Sequence, residues 1–312
     1  QFMDYPRYSS GYTTLWNTLG MMVETHMLKP YDKRVEGTYE LMCKMISITE
    51  KDGSDIRSMR DNSLNSFKVD DYYPIAWQLD TTRVSKFIFK GYKADTIISK
   101  VTGLPRLKFN RDIPIENEVA YQDYFKASDS IKIPKAYVIG KQWQNVFKRL
   151  DLNHITYSTL KNDTIIKVEA YKIVDYQTVS TPYEGHYLHY NSTINSIETN
   201  VNFHSGDIVV PTNQPGVRYI LETLEPAAID SFFNWNFFDT ILQQKEGFSP
   251  YVFEDTALLM LENDSVLKNT FFNKKKLDAN FSSNWYLQLD WLFKQSNLYE
   301  KAHLQYPIYR IL

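Results

Sequence analysis

Apolar residues change their spacing along this chain, and the changes mark its elements. Met21-Met22-Val23 is a short unbroken apolar run, the pattern of a buried strand. Pro30 suits the first turn of a helix, and Val35, Tyr39, Met42 and Met45-Ile46 follow at spacings of three and four, which lays them on one face. That helix is predicted to fade at Lys51-Asp52-Gly53. A polar, partly helical stretch from Ser54 to about Ser66 marks the best domain boundary. From Tyr72 the rhythm shortens. Pro74-Ile75-Ala76-Trp77, the run from Lys86 to Tyr92, and Glu118-Val119-Ala120-Tyr121 read as strands. A βαβ-like unit follows, with Ala136-Tyr137-Val138-Ile139 as strand, Trp143, Val146, Phe147 and Leu150 as helix face, and His154-Ile155-Thr156-Tyr157 as the next strand. Thr164 to Val174, Glu198 to Phe203, and Asp207-Ile208-Val209-Val210 are further strand candidates. A helix starts near Gln214-Pro215, and beyond Asp230 the pattern is mainly helical to about Leu298.

Composition narrows the class. At 312 residues the soft prior is two domains. Lys and Arg number 35 against 37 Asp and Glu, a formal net charge of −2, so the whole chain lacks the basic excess of a nucleic-acid scaffold or a polybasic membrane binder. With 43% hydrophobic residues there is ample material for a core. The lone Cys43 excludes an internal disulfide framework and a multi-cysteine zinc module. Aromatics reach 15%, which suggests broad packed faces or binding surfaces. No stretch approaches the roughly 20 apolar residues of a membrane span. The chain opens on Gln1 with no basic or apolar leader, and is read as a processed or partial sequence.

Most chemical motifs are missing. There is no Gly-rich phosphate loop, no G-x-S-x-G elbow and no H-E-x-x-H. None of the six histidines has a Glu three residues later. His186 and His189 would share one face of a helix but lie on opposite faces of a strand, and the Tyr-rich surroundings favour a strand. They and His204 are read as strand and turn residues, which leaves an independent hydrolase built on them disfavoured. Four matches to the glycosylation sequon, at Asn162, Asn191, Asn263 and Asn280, carry little weight in an Asn-rich chain. The aromatic block from Phe232 to Asp239 reads as core or interface rather than as a ligand platform.

One set of motifs is distinctive. The segment Asp4-Tyr5-Pro6-Arg7-Tyr8-Ser9-Ser10-Gly11-Tyr12, followed by Met22-Val23-Glu24-Thr25-His26-Met27-Leu28-Lys29-Pro30-Tyr31 and Arg34-Val35, resembles the last part of the catalytic domain of bacterial zinc carboxypeptidases of the M14 family. The stretches PYEGHYLHYN, GDIVVPTNQP, LETLEP, DSFFNWNFFD and YVFE resemble the C-terminal extension of the same large enzymes. The resemblance implies that Glu24 is the general base, which accepts the proton of a metal-activated water and passes it to the leaving amine. It also implies a mobile Tyr before that base, for which Tyr8 and Tyr12 are both candidates and Tyr8 is taken. A strand-end carboxylate in a cap or salt bridge, and a Tyr packed in a loop, are the plain alternatives. The zinc ligands of carboxypeptidase A are two His and one Glu. Only 23 residues precede Glu24 here, and none is His. Arg7 is the sole arginine among them and is assigned no substrate role.

The expectations are these. The fold is α+β with mixed α/β elements: a remnant of the carboxypeptidase α/β domain, then a strand-rich region with a small βαβ core and a helical C-terminus. Residues 1–66 are the end of the catalytic domain and 67–312 an accessory α+β region. Zinc belongs to the parent enzyme and none is expected in this chain, which is inactive alone. Its partners are a peptide or protein substrate and an upstream segment carrying the zinc ligands, with no nucleic acid. Localisation, by resemblance, is periplasmic or secreted. The competing hypothesis is a non-catalytic module that recognises peptide, glycan or a partner protein through its aromatic surfaces.

Overall fold

The computed structural model describes residues 3–312. In chain order its elements are α1 (Ser9–Leu15), α2 (Tyr31–Leu64), β1 (Tyr72–Leu79), β2 (Ser85–Ile98), β3 (Pro105–Tyr121), β4 (Phe125–Lys132), β5 (Ala136–Ile139), α3 (Gln144–Leu152), β6 (Ser158–Thr159), β7 (Thr164–Thr178), β8 (His189–Phe203), β9 (Ile208–Pro211), α4 (Val217–Leu224), α5 (Pro250–Asn263), α6 (Ser265–Leu277), α7 (Ala279–Ser283), α8 (Trp285–Phe293) and β10 (Gln305–Ile311). The fold is α+β, as the pattern predicts. The chain divides into two compact units. One comprises residues up to 134 with 212–223 and 228–230; the other comprises 135–211, 224–227 and 231–312.

In the first unit, β1 pairs antiparallel with β4, and β2 pairs antiparallel with β3 in a separate two-stranded sheet. Tyr73 and Ile75 of β1 are buried. Two expectations fail here. Met21, Met22 and Val23 form no strand; they are irregular and 58, 62 and 43% exposed. A strand needs ladder partners for its backbone, and none of the described sheets includes this segment. Helix α2 also does not stop at Gly53 but runs on to Leu64. One glycine in a helix interior costs only about 1 kcal/mol relative to Ala. No residue of α2 is buried, so the stripe of Val35, Tyr39, Met42 and Ile46 faces outward. Gly11 is required where it stands: a Cβ there would lie 2.0 Å from the Tyr5 carbonyl oxygen.

The second unit holds a six-stranded sheet in the order β6-β9-β5-β10-β7-β8, with every named pair antiparallel. The βαβ expectation is corrected in detail. β9 lies between β5 and β6, which gives a split arrangement. The second strand is Ser158–Thr159, not residues 154–157, and His154 adopts a left-handed backbone. Between the two strands, α3 buries Val146, Phe147 and Leu150, the predicted face. β5 is buried at all four positions, as expected of a central strand covered on both faces. Helices α5 to α8 enclose Phe253, Phe271, Phe281, Leu289 and Phe293. Asp264, Asp278 and Asn284 cap three of them by accepting backbone N–H bonds. The aromatic block is core, with Phe233 and Phe238 fully buried. The strand β10 is absent from the sequence pattern. Pro307 interrupts its motif, and the register against β7 shifts at the same place.

Candidate functional site

Two places in the first unit bear on function. The first is the N-terminal segment that carries the resemblance. Tyr8 is half-buried and stands as the N-cap residue of α1, its carbonyl accepting the Tyr12 N–H at 2.7 Å. Glu24 lies exposed in the irregular stretch between α1 and α2, among the exposed apolar residues Met21, Met22, Val23 and Met27. Arg7 is committed elsewhere. Its Nε donates to Asp230 Oδ1 at 2.8 Å and its backbone N–H donates to Asp230 Oδ2 at 2.8 Å.

The second place is a cavity of about 470 Å³. Asp4, Tyr5 and Pro6 of the distinctive N-terminal motif line it, with Trp77, Arg218 and Glu222. Trp77 comes from β1, whose alternation also turns Tyr73 inward. Arg218 and Glu222 are one helical turn apart on α4, hence on one face. They are joined through Tyr73. The Arg218 Nε donates to the Tyr73 hydroxyl oxygen at 3.3 Å, and that hydroxyl donates to Glu222 Oε1 at 2.9 Å. Arg218 also donates to the Thr14 carbonyl at 2.5 Å and to Asn17 Oδ1 at 3.3 Å.

Burial dominates the electrostatics here. It pushes the Glu222 carboxyl up to about 7, opposed by the Tyr73 hydrogen bond and the Arg218 charge and aided by Asp230. Burial and the Glu222 charge also push the Tyr73 hydroxyl above its ordinary value. A carboxyl that changes charge near neutrality, in an aromatic-lined cavity, can hold or release a proton toward a ligand. A larger cavity, about 710 Å³, is lined by Asp61, Asn65, Lys68, Asn213 and Gln214 among others. The sequence reading missed Glu222, Tyr73 and Arg218. The available signal was a glutamate inside the apolar run Tyr219-Ile220-Leu221-Glu222-Thr223-Leu224.

In the second unit, His189 is buried, its Nδ1 2.8 Å from Thr178 Oγ1 and its Nε2 3.1 Å from Asp239 Oδ1. His186 instead packs edge-on against Trp235. Among the described residues no group of three or more His, Cys, Asp or Glu is placed to hold a metal ion, so the donors present do not fit a zinc centre.

Comparison with known proteins gives a partial relationship. The chain is 30% identical over 101 residues to "Carboxypeptidase 2" of Trichophyton tonsurans, and the match covers 32% of this chain and 18% of that protein. The same values hold for "Carboxypeptidase 2" of Trichophyton equinum. The chain therefore spans less than a fifth of the length of these curated relatives, and over that stretch it is similar to them. No family model matches, and no solved structure matches significantly.

Proposed function

We propose that this chain is the C-terminal portion of a zinc metallocarboxypeptidase, an exported enzyme that removes C-terminal residues from peptides. Residues 1–66 close its catalytic domain and 67–312 form an accessory region. Glu24 is the proton acceptor, and Tyr8 is the mobile tyrosine that contacts substrate. The observation that carries this reading is the setting of Glu24. It sits in a segment whose apolar residues lie in water and continue into the outward stripe of α2. Monomeric proteins rarely leave contiguous apolar surface of that kind uncovered. An upstream segment bearing the metal ligands accounts for it.

The test uses the complete protein. Glu24→Gln should lower kcat by about 10²- to 10⁴-fold, the range for a lost general base. Tyr8→Phe should lower it less. The 312-residue chain alone should bind no stoichiometric zinc and cleave no peptide. One tight zinc per chain together with peptidase activity would contradict the proposal.

The cavity at Glu222 favours a second reading, a module that recognises peptide, glycan or a partner protein. On that reading Trp77→Ala abolishes ligand retention and leaves the far-ultraviolet circular dichroism unchanged.

A further inference from the structure

The long β2–β3 hairpin has no role in the reading above. Among the described residues its strands pair only with each other, from Ser85 opposite Tyr121 to Ile98 opposite Pro105. A fourteen-residue strand gives an arm about 45 Å long. At its end the turn is well defined. The Ser99 hydroxyl oxygen accepts the N–H groups of Val101 and Thr102 at 3.2 Å each, and the Gly103 N–H donates to the Ser99 carbonyl at 2.9 Å. Gly103 has φ +71°, a backbone that only glycine adopts readily.

This ordered turn presents apolar residues to solvent. Val101 is 93% exposed and Leu104 65%, and Ile98, Leu107 and Phe109 beside them are exposed as well. Turn tips are ordinarily polar. Around this one stand Lys93, Lys100, Arg106, Lys108 and Arg111, five basic residues against a single acidic residue, Asp95, from 93 to 111. The net charge of +4 in this segment contrasts with −2 for the whole chain.

We propose that the tip of the β2–β3 hairpin is an anchor for anionic phospholipid surfaces. Val101, Leu104 and Ile98 seat in the interface, while Lys100, Arg106 and Lys108 meet the headgroups. Apolar insertion together with cationic attraction is the combination that interfacial binding uses. A nucleic acid would use the charges and leave Val101 and Leu104 in water. No helix among the described residues is long and apolar enough to cross a membrane.

The test is co-sedimentation of the full chain with vesicles of phosphatidylcholine alone, or with about one-third phosphatidylserine. Wild type should partition onto the anionic vesicles at least about tenfold more strongly. Val101→Asp with Leu104→Asp should reduce that partition by about tenfold, and Lys100→Glu with Arg106→Glu by at least as much. All four residues are at the surface, and unchanged circular dichroism verifies folding. Val101→Trp should show a blue-shifted emission on binding, which places the tip itself in the interface. Equal partition onto both vesicles, no partition, anionic binding undiminished in the Val101→Asp/Leu104→Asp chain, or tighter binding to a DNA duplex would each overturn the proposal.

Discussion

Glu222 and Glu225 lie three residues apart in sequence and are both buried, yet their surroundings treat them differently. Glu225, in the second unit, is fully buried inside a built network. Arg310 Nε stands 3.0 Å from its Oε1 in an ion pair, and the Tyr137 hydroxyl donates to the same oxygen. Arg310 also pairs with Glu169 and donates to the Tyr171 hydroxyl oxygen. Burial still pushes the Glu225 carboxyl up, with Arg310 opposing it. Glu222, in the first unit, has a tyrosine hydroxyl in place of an ion-pair partner, and it faces a cavity. A buried carboxylate with an arginine fixes structure. Glu222, which accepts one tyrosine hydrogen bond and feels the Arg218 charge without a direct ion pair, lies at a cavity where its proton can be exchanged.

The comparison can be broken by mutation. The largest effect is expected at Arg310. Arg310→Met leaves Glu225 and Glu169 without their cation and should cost about 3–5 kcal/mol, read from urea unfolding. Next is Glu222→Gln. The unfolded carboxyl titrates at 4.5 and the folded one near 7. Between these values the unfolded chain has released a proton that the folded chain keeps. Stability should therefore be full below pH 4.5, fall as pH rises to 7, and level off above it. The gap corresponds to about 3 kcal/mol. The Gln variant should lack this fall, and unfolding curves at pH 5 and pH 8 would reveal it. An equal fall in both proteins would mean that Glu222 is not its source.

Tyr73→Phe should cost about 1–3 kcal/mol by removing the donor to Glu222. Because that hydrogen bond holds the carboxyl down, its titration should move higher still, which the same pH series detects. The smallest effect is expected on α2. Val35→Lys or Met42→Lys should change the stability of this chain by no more than about 0.5 kcal/mol, since both residues face water. In a complete carboxypeptidase that covers the stripe, the same substitutions should cost several times more.

Much of the second unit was legible in the sequence. β5, α3, β7 and β9 follow from apolar runs and helical spacing that local physics enforces. β10 was hidden because its inward positions are Tyr306, Ile308 and Arg310, a charge where a core residue is expected, with Pro307 between them. Its place beside β5 depends on pairing across more than 160 residues, which no local window contains. The segment at Met21 shows the opposite failure. Its pattern is that of a buried strand, yet nothing described here covers it. The cavity was invisible for a third reason. Tyr73, Arg218 and Glu222 converge only when β1 meets α4, and a glutamate in an apolar helix does not announce its partner.

The most direct measurement is kcat of the complete protein with Glu24→Gln, beside Glu222→Gln in the same background. The account predicts a loss of about 10²-fold or more for Glu24→Gln and near wild-type kcat for Glu222→Gln. Undiminished kcat in the Glu24→Gln enzyme would contradict it.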